Sequence, residues 1–148
     1  MADGKQFCTF YLDGHFFGID VQTVQEVIRY QEMTRVPLAP PVVSGLVNLR
    51  GQIVPALDLR LRLGLNPRSA GVLPLNIVVR TEESAVSFLV DEIGDVLELN
   101  DDLFEPPPET MSQTSRESLL GVYKIRERLL LILDTARAVD VATGFERK

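Results

Sequence analysis

One cysteine and one histidine are all that this chain holds of the two side chains most used for metal binding and nucleophilic catalysis. Cys8 has no partner for an internal disulfide and no basic neighbour to lower its pKa, so it reads as a buried structural thiol. His15 stands just past a hairpin tip and reads as an exposed turn residue. One residue of each kind excludes a His/Cys metal cluster. Paired carboxylates are missing as well: the acidic residues lie singly or on predicted tips, and Asp91-Glu92 and Asp101-Asp102 read as solvated turns. Gly45 and Gly51 follow no G-x-x-x-x-G-K pattern, so no phosphate loop is present. The expectation is a protein that is not an enzyme and uses no cofactor.

Positive charge is in deficit. Fifteen Lys and Arg stand against 21 Asp and Glu, a net charge of −6. That balance argues against nucleic acid, whose phosphates demand a basic surface, and against anionic membrane surfaces. No apolar run approaches the ~20 residues of a membrane span, and the start, Met1 to Lys5, lacks the apolar core of a signal peptide. These absences point to a cytoplasmic chain with no direct membrane insertion.

What is present is a hairpin, Gly45 to Asp58. Two short apolar strands flank the tip Arg50-Gly51-Gln52, where Gly51 can take the positive φ of a tight turn. Pro55 donates no N–H, so it belongs at an edge, a bulge or an exposed face. Leu57 to Gly64 reads as a short helical cap closed by glycine.

Before this hairpin, Gln6–Asp13 and His15–Ile19 read as strands joined by the turn Asp13-Gly14. Asp20 is a candidate N-cap for a helical stretch, because Val21, Val24 and Ile28 have helical spacing. Residues 29–44 read as a loop with a short strand near Arg35-Val36. After the hairpin comes a turn-rich joint, Asn66 to Pro74. Strands Leu75–Thr81 and Ala85–Val90 follow, joined by the polar tip Glu82-Glu83-Ser84. A further short element covers 91–99. Residues 100–118 read as a long mobile loop. Leu119–Arg126 and Leu129–Leu133 are strands, and Asp134 caps a helix to about Thr143, stopped by Gly144.

The chain is written twice. An offset of 76 carries Gly45 to Gly121, Arg50 to Arg126, Leu57 to Leu133 and Asp58 to Asp134. An offset of 69 carries Phe10 to Val79, Phe17 to Val86, Ile19 to Phe88, Glu26 to Asp95 and Val27 to Val96. Each half offers about five short strands, which suggests two small closed barrels. Barrels of about 70 residues are small enough to need a shared apolar layer, and Phe16, Phe17 and Phe88 exceed what one barrel can enclose. The fold expected is mainly β: two SH3-like five-stranded β-barrel subdomains with short helices, including a C-terminal one. The whole chain, 1–148, is one domain, with subdomain 1 at about 6–66 and subdomain 2 at about 73–144.

The run from Gly45 through Asn48, Leu49, Arg50, Gly51, Ile53, Val54, Pro55 and Asp58 to Arg60 closely resembles the signature of the CheW-like coupling proteins of bacterial chemotaxis. Gly18 to Asp20, Val24 to Val27, Val90 to Ile93 and Leu130 to Asp134 extend the resemblance over about 6–140. It implies two SH3-like barrels, no catalysis and a bridging role. The partners implied are the regulatory domain of a CheA-type histidine kinase and the cytoplasmic tip of chemoreceptors. By motif, Val21, Val24, Glu26 and Arg50 fall near the receptor groove, and Val86 helps line it. Gly45, Ile53 and Pro55 fall on or near the first-barrel docking surface. Asn48, Gly51 and Pro55 shape the strand edge around Arg50, and Glu26 is a possible internal partner of Arg50. Arg126 reads as a solvated tip. Ser87 departs from the resemblance, standing where many members of the family have glycine.

Three functions remain open on the sequence. The first is a cytoplasmic adaptor coupling methyl-accepting chemoreceptors to the kinase. The second is an adaptor of the same fold serving surface motility or gene expression. The third is a small ligand-binding barrel or enzyme. An end at Lys148 leaves no room for a receiver or kinase domain, which argues against a composite protein.

Overall fold

A computed structural model describes residues 4–82 and 84–140. In chain order the strands are β1 (Gly4–Leu12), β2 (His15–Asp20), β3 (Val24–Ile28), β4 (Val43–Leu49), β5 (Gln52–Asp58), β6 (Leu75–Arg80), β7 (Ala85–Val90), β8 (Glu92–Asn100), β9 (Phe104–Glu105), β10 (Leu119–Ile125) and β11 (Arg128–Leu133). Among the described residues, three one-turn helices complete the set: α1 (Leu59–Arg62), α2 (Gln113–Arg116) and α3 (Thr135–Ala138). The 76-residue offset holds element by element, since β4 maps onto β10 and α1 onto α3 residue for residue. Asp58 and Asp134 cap their helices through side-chain oxygens, Asp58 accepting from the Arg60 amide at 3.0 Å and Asp134 from the Arg137 amide at 3.2 Å. These bonds satisfy amides that the first turn of a helix leaves unpaired.

The architecture is mainly β and consists of two sheets, as expected of two SH3-like subdomains. Sheet 1 has the order β8-β1-β2-β11-β10-β9 and sheet 2 the order β3-β6-β7-β5-β4. Sheet 2 has the five strands expected, while sheet 1 gains a sixth in the two-residue β9. Neither sheet is built from one half of the chain. The hairpin β1–β2 pairs with β11 through the parallel register Phe16↔Leu130 to Gly18↔Ile132. The hairpin β6–β7 pairs with β5 through Ala56↔Ser87 to Asp58↔Leu89. Each sheet thus joins the first hairpin of one repeat to the second hairpin of the other. The divisions 6–66 and 73–144 separate the repeats along the chain, but the sheets cross them.

Alternation on the central strands gives every residue one of two interiors. On β7, Ala85 and Leu89 face a core made by sheet 2 alone, with Val47, Leu49, Val54, Ala56 and Val78. Val86, Phe88 and Val90 face the opposite way, into a larger core shared with Phe10, Phe17 and Ile19 of sheet 1. Sheet 1 has its own interior of Phe7, Phe16, Tyr123, Leu130 and Ile132. The expected shared layer is therefore present, and it takes Phe17 and Phe88. Phe16 is instead enclosed within sheet 1.

Several local expectations change. Val21 to Ile28 is not one helix: only Val21–Thr23 makes a 3₁₀ turn, with Asp20 accepting from the Gln22 amide, and Val24 onward is strand β3. On β3, Val24, Glu26 and Ile28 are half-buried while Gln25 and Val27 are exposed, the two-residue period of a strand. In place of the short strand expected near Arg35-Val36 there is a single isolated bridge at Thr34, which pairs with Leu46. Residues 91–99 belong mostly to the nine-residue β8. The loop 100–118 contains a 3₁₀ turn, β9 and α2. Cys8 is half-buried rather than buried, and burial followed by the charge of Asp20 pushes its thiol above the ordinary range. His15 is exposed at the start of β2, as expected. Glu83, Thr143 and Gly144 lie outside the described residues.

The repeated glycines have one physical role. At Gly45 a Cβ would stand 2.8 Å from the Thr34 carbonyl oxygen and 2.9 Å from the Met33 Cβ. At Gly121 it would stand 2.5 Å from the Glu105 carbonyl and would overlap the Phe104 ring. Each glycine follows a register shift on its strand and lets a crossing segment lie against the hairpin edge. Gly121→Ala is therefore expected to cost about 1–3 kcal/mol, the usual range for forcing atoms into a packed site. Urea unfolding should show a lower midpoint at unchanged slope; an unchanged midpoint would contradict this role.

Candidate functional site

Hairpin β4–β5 turns in two residues between Leu49 and Gln52. Arg50 has φ +53° and Gly51 φ +88°, the pair of left-handed conformations that a type I′ turn requires. Asn48 completes the turn, its Oδ1 accepting from the Gly51 amide at 2.9 Å. For arginine the left-handed conformation carries about 1–2 kcal/mol of steric cost. The Asn48 bond and the ladder hold it there.

Arg50 then reaches across the sheet. Its Nη1 donates to Glu26 Oε2 at 2.6 Å and its Nη2 to Glu26 Oε1 at 2.7 Å, a bidentate pair. Glu26 lies on β3 and Arg50 at the end of β4, the two outer strands of sheet 2. The pair therefore joins the sheet's two open edges. Registers place Glu26, Val78, Ser87, Ala56 and Gly45 in one row across β3, β6, β7, β5 and β4. Glu26 thus points to the same face as Val78 and Ala56, at the rim of the sheet-2 core. The hydrogen bonds from Arg50 hold the Glu26 carboxyl below the usual carboxylate range. The Arg50 side chain stays 76% exposed against 19% for Glu26, so the guanidinium is paired at one end and open to a partner at the other.

The remaining sequence-derived candidates divide into three groups. Ile53, opposite Asn48, is 54% exposed beside the tip; Val27 on β3, which the sequence did not single out as a site residue, is 43% exposed. Val21, in the 3₁₀ turn, and Val24, at the start of β3, are half-buried, and Arg80 pins this junction by donating to the Gln22 and Val24 carbonyls at 3.1 and 3.0 Å. Gly45, Pro55 and Val86 present no side chain to solvent. Pro55 is buried in an inner strand rather than at an exposed edge; its pairing to β7 begins one residue later, at Ala56. Val86 is 2% exposed in the layer between the sheets, so it does not line a groove.

Reading the sequence missed Leu38. Val36 to Ala39 form a type II turn, with the Ala39 amide donating to the Val36 carbonyl at 3.3 Å, and Leu38 occupies the third position at φ +69°, fully exposed. The signal was Pro37 at the second turn position, which favours this turn. A surface hollow of about 540 Å³ opens beside it, lined by Arg35 to Pro41 with Val43 and Ser44.

The other repeat lacks this closure. Asp95 and Arg126 occupy the positions of Glu26 and Arg50, yet both are exposed and, among the described residues, their side chains form no ion pair. Arg126 keeps the left-handed backbone, φ +56°, without the partner. Arg128 lies instead over the Phe16 ring, 4.0 Å from its centre. Among the described residues, no group of three His, Cys, Asp or Glu side chains is arranged to hold a metal, and no helix is long and apolar enough to cross a membrane.

Comparison with known proteins agrees with this geometry. A family model described as the CheW-like domain matches residues 6–142. The chain is 34% identical over 137 residues to the chemotaxis protein CheW of Klebsiella aerogenes, covering 93% of this chain and 82% of that protein. It is 30% identical to CheW of Thermotoga maritima, covering 97% and 95%. The crystal structure of the scaffolding protein TtCheW from Thermoanaerobacter tengcongensis superposes with a TM-score of 0.78 at 27% identity, covering 88% of each chain. With the family model matching nearly the whole chain, a relative 34% identical over most of its length and the two-sheet fold in agreement, the chain belongs to the CheW-like domain family.

Proposed function

We propose that this protein is a non-catalytic adaptor of chemotaxis signalling that couples chemoreceptors to a CheA-type histidine kinase in the cytoplasm. Family membership supports the adaptor role. The observation that carries the docking face is the Glu26–Arg50 pair, which holds an exposed guanidinium at the rim of a rigid barrel. Such a surface recognises a partner by shape and charge without any reaction. Val27 and Ile53 add apolar contact on either side of it. Asn48 and Gly51 fix the tip, and Gly45 and Pro55 shape the strands beneath. Val21 and Val24 belong to the receptor-facing side of the same subdomain.

Coupling is tested by reconstitution. Receptor-bearing membranes are mixed with the kinase in the presence and absence of this protein, and sedimented kinase is measured. The expected result is kinase recruitment that depends on the adaptor. Equal recruitment without it would refute the coupling role.

A further inference from the structure

We propose that Ser87 is a positioning residue for the Glu26–Arg50 pair, acting through Asn76 and the end of β3. Ser87 and Asn76 are diagonal neighbours on β7 and β6, on the face turned to the sheet-2 core, and they are 0% and 1% exposed. The Ser87 hydroxyl donates to Asn76 Oδ1 at 2.6 Å, and Asn76 Nδ2 donates to the Arg29 carbonyl at 3.0 Å. The last ladder pair of β3 is Ile28↔Asn76. The Asn76 carboxamide therefore adds one rung beyond the end of the strand, tying down Arg29 where the chain leaves for the 29–42 connection.

Anchoring Asn76 is the role of Ser87. A carboxamide has nearly the same shape either way round, and only its bonds choose the direction. The Arg29 carbonyl, which can only accept, draws the NH₂, and the serine hydroxyl donates to the oxygen at the other end and pins the carboxamide there. Without that donor, a buried Oδ1 is left unsatisfied, and the carboxamide loses one of the two bonds that anchor it against the end of β3. Edge strand β3 pairs with β6 alone, so its end depends on this rung. Glu26 lies two residues before Ile28 on that five-residue strand and must meet Arg50 from the opposite edge of the sheet. Loosening of β3 is transmitted directly to the ion pair. The functional half of the inference rests on the reading of that pair as a docking face.

The test is a ¹³C NMR pH titration of side-chain carboxyls in the wild type, Ser87→Ala, Asn76→Ala and the double variant. Both single substitutions are expected to move the Glu26 titration up towards an ordinary carboxylate, with the double variant moving it no further than the larger single effect. Asp91, in a separate ion-pair network, should titrate as before. General destabilisation of the folded state would not select Glu26 in this way. Unchanged Glu26 titration in folded Ser87→Ala overturns the relay. Affinity for the kinase regulatory domain or the receptor tip, read on the same samples, should fall several-fold. A shifted Glu26 with both affinities unchanged overturns the docking half and leaves the relay standing.

Discussion

Replacing Asp91 with alanine should destabilise the protein by about 2–4 kcal/mol, somewhat below the range for breaking a fully buried ion pair. Asp91 sits between β7 and β8 and gathers groups from distant parts of the chain. It accepts from the Asp13 amide at 2.8 Å, from Arg60 Nη2 at 2.5 Å and Nε at 3.2 Å, and from Arg68 Nη2 at 3.0 Å and Nε at 3.2 Å. The three side chains are only 10–17% exposed. Arg60 also donates to the Asn66 and Pro67 carbonyls at 3.0 and 3.3 Å, so the network joins the β1–β2 tip, α1 and the joint between the repeats. Alanine removes every one of these acceptors at Asp91 and leaves two half-buried guanidinium groups short of a counter-charge.

Acid should erase the difference. Burial pushes the Asp91 carboxyl up, but the hydrogen bonds from Arg60, the Asp13 amide and Arg68 outweigh it and hold the group below the ordinary range. A carboxylate depressed in the folded state stabilises fully above its unfolded pKa of about 4. As pH falls, the unfolded chain takes the proton first, and the contribution is lost down to the folded value. Urea unfolding at pH 7 should separate wild type from Asp91→Ala by the full amount, and the gap should narrow steadily below about pH 4. A gap that stays constant with pH would show that the carboxylate charge is not the source.

Arg50→Glu should have the opposite profile, a large loss of function with little loss of stability. Glu26 and Arg50 meet at the surface, where solvent screens the attraction. Reversing the charge sets two carboxylates at the sheet closure and inverts the charge offered to a partner. Binding should fall roughly tenfold or more, as for a central charge in an electrostatically matched interface, and array assembly should fail. The melting temperature should move little. Unaffected assembly would remove Arg50 from the interface. Arg126→Glu serves as the control, because its side chain is exposed and has no ion-pair partner among the described residues, and it should change neither property.

Local chemistry was the legible part. Gly51 and the alternation around it marked a tight turn at Arg50-Gly51-Gln52; the structure closes it in two residues, with Gln52 already paired to Leu49. The offsets of 76 and 69 marked equivalent elements because burial constrains the same positions in both copies. Phe17 and Val86, and Ile19 and Phe88, share one core for this reason. Interleaving of the sheets was not legible: hydrophobic pattern tells which residues are buried, but carries no information on which hairpin lies beside which. Val21 to Ile28 misled because Val21, Val24 and Ile28 match a helical spacing, while Val24, Glu26 and Ile28 alternate as a strand. Sheet pairing with β6 decided between them, a contact some fifty residues away. Ser87 was visible as a departure, but its partner was not. Asn76 becomes its neighbour only through the β6–β7 register.

The proposed adaptor role requires a docking face for a signalling kinase. Its most direct test is a calorimetric titration of the full chain with the regulatory domain of the CheA-type kinase from the same organism. The account predicts saturable one-to-one binding with a dissociation constant on the order of tens of micromolar or tighter. A folded protein showing no heat and no complex across that range would contradict it.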